Sequence, residues 1–215
     1  MAVSAIRADL LLPEVSAFIC QTRRRRLGGS GRRRWGPALA ERGRLVNRLA
    51  DLLKENLNEL TQLETLDNGK PVAHARGGDI PLAADHFRNF AGRATKVEGA
   101  TVQTACPDMH VYLRREQIGV VAATVPWNFP LEMASGKVAP ALAAGRTVIL
   151  KVAEQTPLTA LRLVALEAGM PTGVFNALPG FGKTGAARFV HTAIVWRDFS
   201  PELKKIAAAG VGGVG

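Results

Sequence analysis

IGVVAATVPWNFPLEMASGKVAPALAAGRTVILKVAEQTPLTALRLVALEAGMPTGVFNALPGFGKTG, residues 118–185, decides the fold. Ile118 to Val125 is a continuous apolar run rich in β-branched residues. Such a run fits a strand covered on both faces. Leu131 to Ala144 reads as a helix stopped by Gly145, and Arg146 to Val152 as a second buried strand. Thr156 is placed to cap the next helix, with Pro157 in its first turn. Gly169 and Pro171 end that helix, and Gly173 to Leu178 is a third strand. Strand, helix, strand, helix, strand describes a parallel sheet with crossover helices. Crossovers bring every strand's C-terminal end to one edge, where open α/β sheets bind ligands. Three unusual segments follow those ends: Pro126–Pro130, Lys151–Glu154 and Pro179–Gly185. They are expected to converge.

Each segment has a ligand reading and a plain one. Gly180-Phe-Gly182-Lys-Thr-Gly185 has G-x-G-x-x-G spacing between a strand and a helix, where a pyrophosphate could meet a helix N-terminus. It is also a near miss for a phosphate-binding P-loop, whose first glycine would fall at Ala177, or a glycine-rich turn with no ligand. Lys151 closes a buried strand with Glu154 three residues on. A buried ammonium needs a partner or an anion, and the pair could hydrogen-bond ribose hydroxyls or form a simple salt bridge. Pro126-Trp127-Asn128-Phe129-Pro130 sets an amide between two aromatics in a stiff loop. A stiffly held amide is a good oxyanion donor; the loop alone is a proline-rich turn with core aromatics.

Upstream, Val111–Glu116 alternates like a half-exposed strand. Leu45, Leu49, Leu52, Leu53, Leu57, Leu60 and Leu63 recur at helical spacing. That helix should stop at Asn68-Gly69, before Pro71. A second helix is expected from Asp79 as its cap, with Pro81 in its first turn and Leu82, Phe87, Phe90 and Ala94 facing inward.

The whole chain of 215 residues is 47% hydrophobic and 21% charged, a globular composition without an apolar run near the ~20 residues of a membrane helix. The net charge is +10, but Arg23 to Arg26 and Arg32 to Arg34 account for seven charges; without them the balance is +3. Residues 1–34 read as a disordered Arg-rich segment. It could be a solvated tail, a mitochondrial-type targeting peptide weakened by Asp9 and Glu14, a nucleic-acid or nuclear-import patch, or a tract never selected to fold. The two cysteines, Cys20 and Cys106, are too few for a disulfide framework and have no evident activating neighbour, so a reducing compartment is expected. His74, His86, His110 and His191 show no metal-ligand spacing, so no metal is expected. Residues 35–187 form the folded part and 188–215 a tail.

Within 35–187, LETLDNGKP (63–71), PWNFP (126–130), KVAPALAAG (137–145), LKVAEQTPLTAL (150–161), EAGMPTGVFN (167–176) and PGFG (179–182) together resemble the NAD(P)-dependent aldehyde dehydrogenase family. In such enzymes an aldehyde forms a thiohemiacetal with a cysteine, a hydride passes to the nicotinamide, and water releases the acid. The resemblance implies an α/β fold: an incomplete Rossmann-like parallel sheet with a helical N-terminal lead-in and an oligomerisation-type strand around Val111 to Arg115. It implies Asn128 as the oxyanion donor and Lys137 as a supporting proton-relay residue. Pro126 and Trp127 would line the cofactor cleft, Lys151 and Glu154 hold the adenosine ribose, and Gly180 and Gly182 shape the adenine wall. NAD is the implied cofactor, with NADP possible, because Glu154 would repel a 2′-phosphate. Gly136 stands where a Trp is usual before Lys137, and Arg146 where an Asn is usual.

The family's catalytic cysteine and general-base glutamate lie in motifs past residue 215, so an oxidoreductase fragment inactive by itself is expected. A non-catalytic partner that pairs through an exposed sheet edge with a full-length relative is a second reading. A basic nucleic-acid binder acting through Arg23 to Arg34 is a third, and ranks last. An aldehyde substrate, a homo-oligomer or such a pairing, no membrane association and a cytoplasmic location complete the expectations.

Overall fold

The computed structural model describes residues 38–180 apart from Ile118, Glu167 and Thr172. The arginine-rich segment, Gly182 and the tail after residue 180 lie outside the described residues.

The leucine series forms two helices rather than one, α1 (Leu39–Glu55) and α2 (Leu57–Asn68). Asn56 separates them with φ −99° and ψ 20°. Its side-chain amide donates to the Leu52 carbonyl at 2.8 Å, a local bond that competes with helix continuation. Gly69 ends α2 at φ 81°, a left-handed conformation that costs glycine little. A helical turn (Val72–His74) and a π-helical turn (Ala75–Asp79) then run into α3 (Ile80–Arg93). Asp79 therefore does not cap a new helix. It sits in helical conformation, buried, and binds Lys70 at 2.6 Å. Leu82 is 47% exposed, not inward. The buried stripe is Ile80, Ala83, Ala84 and Phe87, an i, i+3, i+4, i+7 set that excludes it.

Strands β1 (Ala100–Val102) and β2 (Val111–Leu113) pair antiparallel, with Thr101 opposite Tyr112. This ribbon contains the sequence-expected strand, shortened to three residues. The main sheet is parallel, in the order β3 (Val120–Thr124), β4 (Thr147–Lys151), β5 (Phe175–Leu178). Helix α4 (Pro130–Ala143) joins β3 to β4 and helix α5 (Leu158–Ala165) joins β4 to β5. The two helices touch each other as well as the sheet, as two right-handed crossovers stepping in one direction require. Every residue of β4 is buried because it is central. β3 was expected to be covered on both faces, but as an edge strand it leaves Thr124 exposed and Val121 and Ala122 half-buried.

Helix α1 packs on α3, α3 on α4, and α4 on β3 and β4. Val46, Leu53, Ile80, Phe87, Leu131, Val138, Leu142, Val148 and Leu150 carry that stack and are fully buried. Each large side chain withdrawn from water contributes about 1.5–3 kcal/mol before conformational entropy is set against it. The helical lead-in is thus part of the core that holds the sheet. No helix among the described residues is long and apolar enough to cross a membrane.

Candidate functional site

The three strands end level. The Val125 amide donates to the Lys151 carbonyl at 3.1 Å, and the Val152 amide donates to the Leu178 carbonyl at 3.2 Å. The loops that follow leave from one rim, so Pro126–Pro130, Lys151–Glu154 and Pro179–Gly180 do converge.

At the centre of the rim the Lys151 ammonium meets Glu154 at 3.0 Å. The lysine side chain is 7% exposed and the glutamate 31%. Partial burial alone would raise the Glu154 carboxyl, but a backbone hydrogen bond and the Lys151 ammonium together hold it below the usual carboxylate range. The pair therefore offers outward-facing acceptor oxygens braced by a buried cation. Beside it, Asn128 is half-buried between Trp127, 58% exposed, and Phe129, 39% exposed; Pro126 is also exposed. On the other side Gly180 is buried at φ 145°, a backbone that only glycine adopts readily. Lys137 is apart from this group. It is exposed on α4, seven residues after Pro130, about 10 Å along the axis at 1.5 Å per residue.

Four residues of the site carried no ligand signal in the sequence. Thr156 does not cap α5. Its hydroxyl donates to the Trp127 carbonyl at 3.0 Å. The first amide of α5, Leu158, is capped instead by Asp67 Oδ2 of α2 at 2.8 Å. Asn68 Nδ2 also donates to the Trp127 carbonyl, at 2.6 Å. Lys70 lies 3.6 Å from the centre of the Phe129 ring. The only available signal was that LDNGKP packs several polar side chains around a helix stop.

Cys106 is exposed in the connection between β1 and β2, not at the rim, and Cys20 lies outside the described residues. Among the described residues no group of three or more His, Cys, Asp or Glu could hold a metal ion.

The model of the aldehyde dehydrogenase family matches residues 32–196, slightly wider than the 35–187 read from the motifs. The chain belongs to the aldehyde dehydrogenase family. Its identity is 46% over 178 residues to an aldehyde dehydrogenase of Enchytraeus buchholzi, covering 82% of this chain and 34% of that protein. It is 48% identical over 177 residues to retinaldehyde dehydrogenase 3 of Rattus norvegicus, covering 81% and 33%. Among solved structures it resembles the NAD+ complex of an aldehyde dehydrogenase from Bacillus cereus, with a TM-score of 0.70 and 46% identity over 74% of this chain and 34% of that one. The chain spans about a third of the length of the curated relatives it matches. The fold is therefore that of the Rossmann-like part of these dehydrogenases, and members of the family bind NAD.

Proposed function

We propose that this chain is the cofactor-binding part of an aldehyde-oxidising dehydrogenase, and that its sheet rim grips the adenosine half of NAD. The observation that carries the reading is the Lys151–Glu154 pair at the end of the central strand. Glu154 would accept hydrogen bonds from the ribose hydroxyls, and the buried Lys151 would donate to them while holding the carboxylate in place. Because Glu154 stays ionised, a 2′-phosphate would meet a like charge, and NAD is the preferred form. Gly180, and Gly182 beyond it, would let the backbone approach the adenine side closely. Pro126 and Trp127 would line the cleft. When bound, the nicotinamide supplies the hydride acceptor.

Asn128 is read as the donor that stabilises negative charge developing on the aldehyde oxygen. Lys137, exposed and distant along α4, fits a proton relay less well than the rim residues fit their roles. With Cys106 on the ribbon, the described residues are read as holding no thiolate at the rim and as unable to oxidise aldehydes by themselves. Calorimetric titration with NAD and NADP tests the first part, and NADH formation with simple aldehydes tests the second. The reading requires NAD to bind more tightly than NADP, with no turnover. Absence of NAD binding, or turnover by the chain alone, overturns the corresponding half.

A second reading, association with another copy or a longer relative, is favoured by the β1–β2 ribbon. It exposes Val102 and Leu113 on one face, at 42% and 62%, and Tyr112 on the other, at 65%, apolar side chains that a partner strand or surface could cover. Sedimentation of the chain alone and mixed with a full-length relative tests it, and a monodisperse monomer in both experiments overturns it. A cytoplasmic location is part of the proposal.

A further inference from the structure

Asn68 and Trp127 are 59 residues apart, yet the segments around them meet at the rim. The Trp127 carbonyl accepts from Asn68 Nδ2 at 2.6 Å and from Thr156 Oγ1 at 3.0 Å. A carbonyl oxygen has two lone pairs, and here two separate elements fill them. That oxygen and the Asn128 backbone nitrogen belong to one rigid peptide plane. Fixing the oxygen fixes the plane from which Asn128 begins. On the far side of Asn128, the Lys70 ammonium sits 3.6 Å from the Phe129 ring centre. Lys70 is itself held by Asp79 at 2.6 Å, with side chains only 16% and 8% exposed. Attraction between a cation and a ring face strengthens as the cation leaves water, and Lys70 is the partner that is withdrawn here. The residues immediately before and after Asn128 are thus both anchored by side chains at the C-terminal end of α2 and just beyond it.

We propose that Asn68 and Lys70 are positioning residues that hold the backbone of Asn128, and so the base of its side-chain amide, in one orientation. The proposal rests on the reading of Asn128 as the working donor. Its physical content is preorganisation: a donor that is already aimed needs no reorganisation as charge develops, and a displacement of about 1 Å is enough to lose most of that advantage.

The test measures backbone 15N order parameters in the full chain for the unaltered protein and for Asn68→Ala, Lys70→Met and Lys70→Arg, with thermal unfolding alongside. In the unaltered protein, Trp127, Asn128 and Phe129 should give values of about 0.85, and in Asn68→Ala and Lys70→Met these should fall below about 0.6. The values in β4 should stay unchanged, and Lys70→Arg, which keeps charge and ring contact, should restore the rigid values. Should Lys70→Met fail to fold because Asp79 is left buried and unpaired, Lys70→Met with Asp79→Asn removes that charge and gives the same readout. Unchanged order parameters at 127–129, or a loss spread evenly over the sheet, overturn the proposal. Neither result depends on cofactor. A chain that binds no NAD but shows the local loosening sinks the functional reading alone, while rigid variants of an NAD-binding chain sink the clamp alone.

Discussion

At the scale of single residues, the site is defined by a buried cation that has one carboxylate partner. Lys151 cannot simply leave for solvent, since its side chain is 7% exposed at the end of a fully buried strand. Glu154→Gln removes the charge and keeps the shape. NAD should then bind about tenfold more weakly, the scale of one hydrogen bond to a charged group, and discrimination against NADP should shrink. Titration of both cofactors checks this. A glycine carries a different demand. Gly145 follows α4 at φ 76°, and a Cβ there would run into the Arg42 guanidinium. Gly145→Ala should destabilise the chain by more than about 1 kcal/mol, read as a lower urea midpoint at unchanged slope.

At the scale of elements, the rim is held by the helical lead-in as much as by the sheet. Asp67→Ala removes the cap of α5 and should cost about 1 kcal/mol, while Asp67→Asn should keep most of it; chemical denaturation of both decides the point. Thr156→Val leaves the cap in place and should affect the Trp127 loop instead. These two residues also mark where sequence reading stopped. Helix and strand periods depend on neighbours within one segment, so α4, β4 and the stop at Gly69 were legible. A side chain with several possible partners was not. Thr156 before Pro157 and Asp79 before Ile80-Pro81 both have the local pattern of a cap, yet each bonds a group brought in by the fold, the Trp127 carbonyl and Lys70. The meeting of Asn68 with Trp127 carries no spacing rule at all. Edge or central position also escaped reading, because Ile118–Val125 and Arg146–Val152 are equally apolar and only the strand order separates them.

At the scale of the whole molecule, the interface between α2 and α5 contains a titratable group that couples folding to pH. Glu64 is solvent-inaccessible, and neither carboxylate oxygen makes a well-formed hydrogen bond. Burial pushes its carboxyl from 4.5 up to about 7, with Thr159 and Lys70 pulling partly against that and Asp79 and Asp67 adding to it. The folded value lies above the unfolded one. Well below pH 4.5 both states are neutral and nothing is lost; through 4.5 and up to about 7 the unfolded chain ionises first, so stability falls as pH rises. The full effect is about 3 kcal/mol. Glu64→Gln should therefore match the unaltered chain near pH 4 and exceed it at pH 8, as measured by denaturant titrations across that range.

The order of strands and crossovers, legible from residues 118–178, already sends the segments holding Asn128, Lys151 and Gly180 to one edge, and in the parallel register the strand ends Thr124, Lys151 and Leu178 lie level. Whether that edge is a nucleotide cradle is decided most directly by amide chemical-shift mapping of the chain titrated with NAD. Saturable shifts should cluster at Trp127–Phe129, Val152–Glu154 and Gly180, leaving Thr101 and Tyr112 on the ribbon unmoved. Shifts absent from the rim, or concentrated on the ribbon, would contradict it.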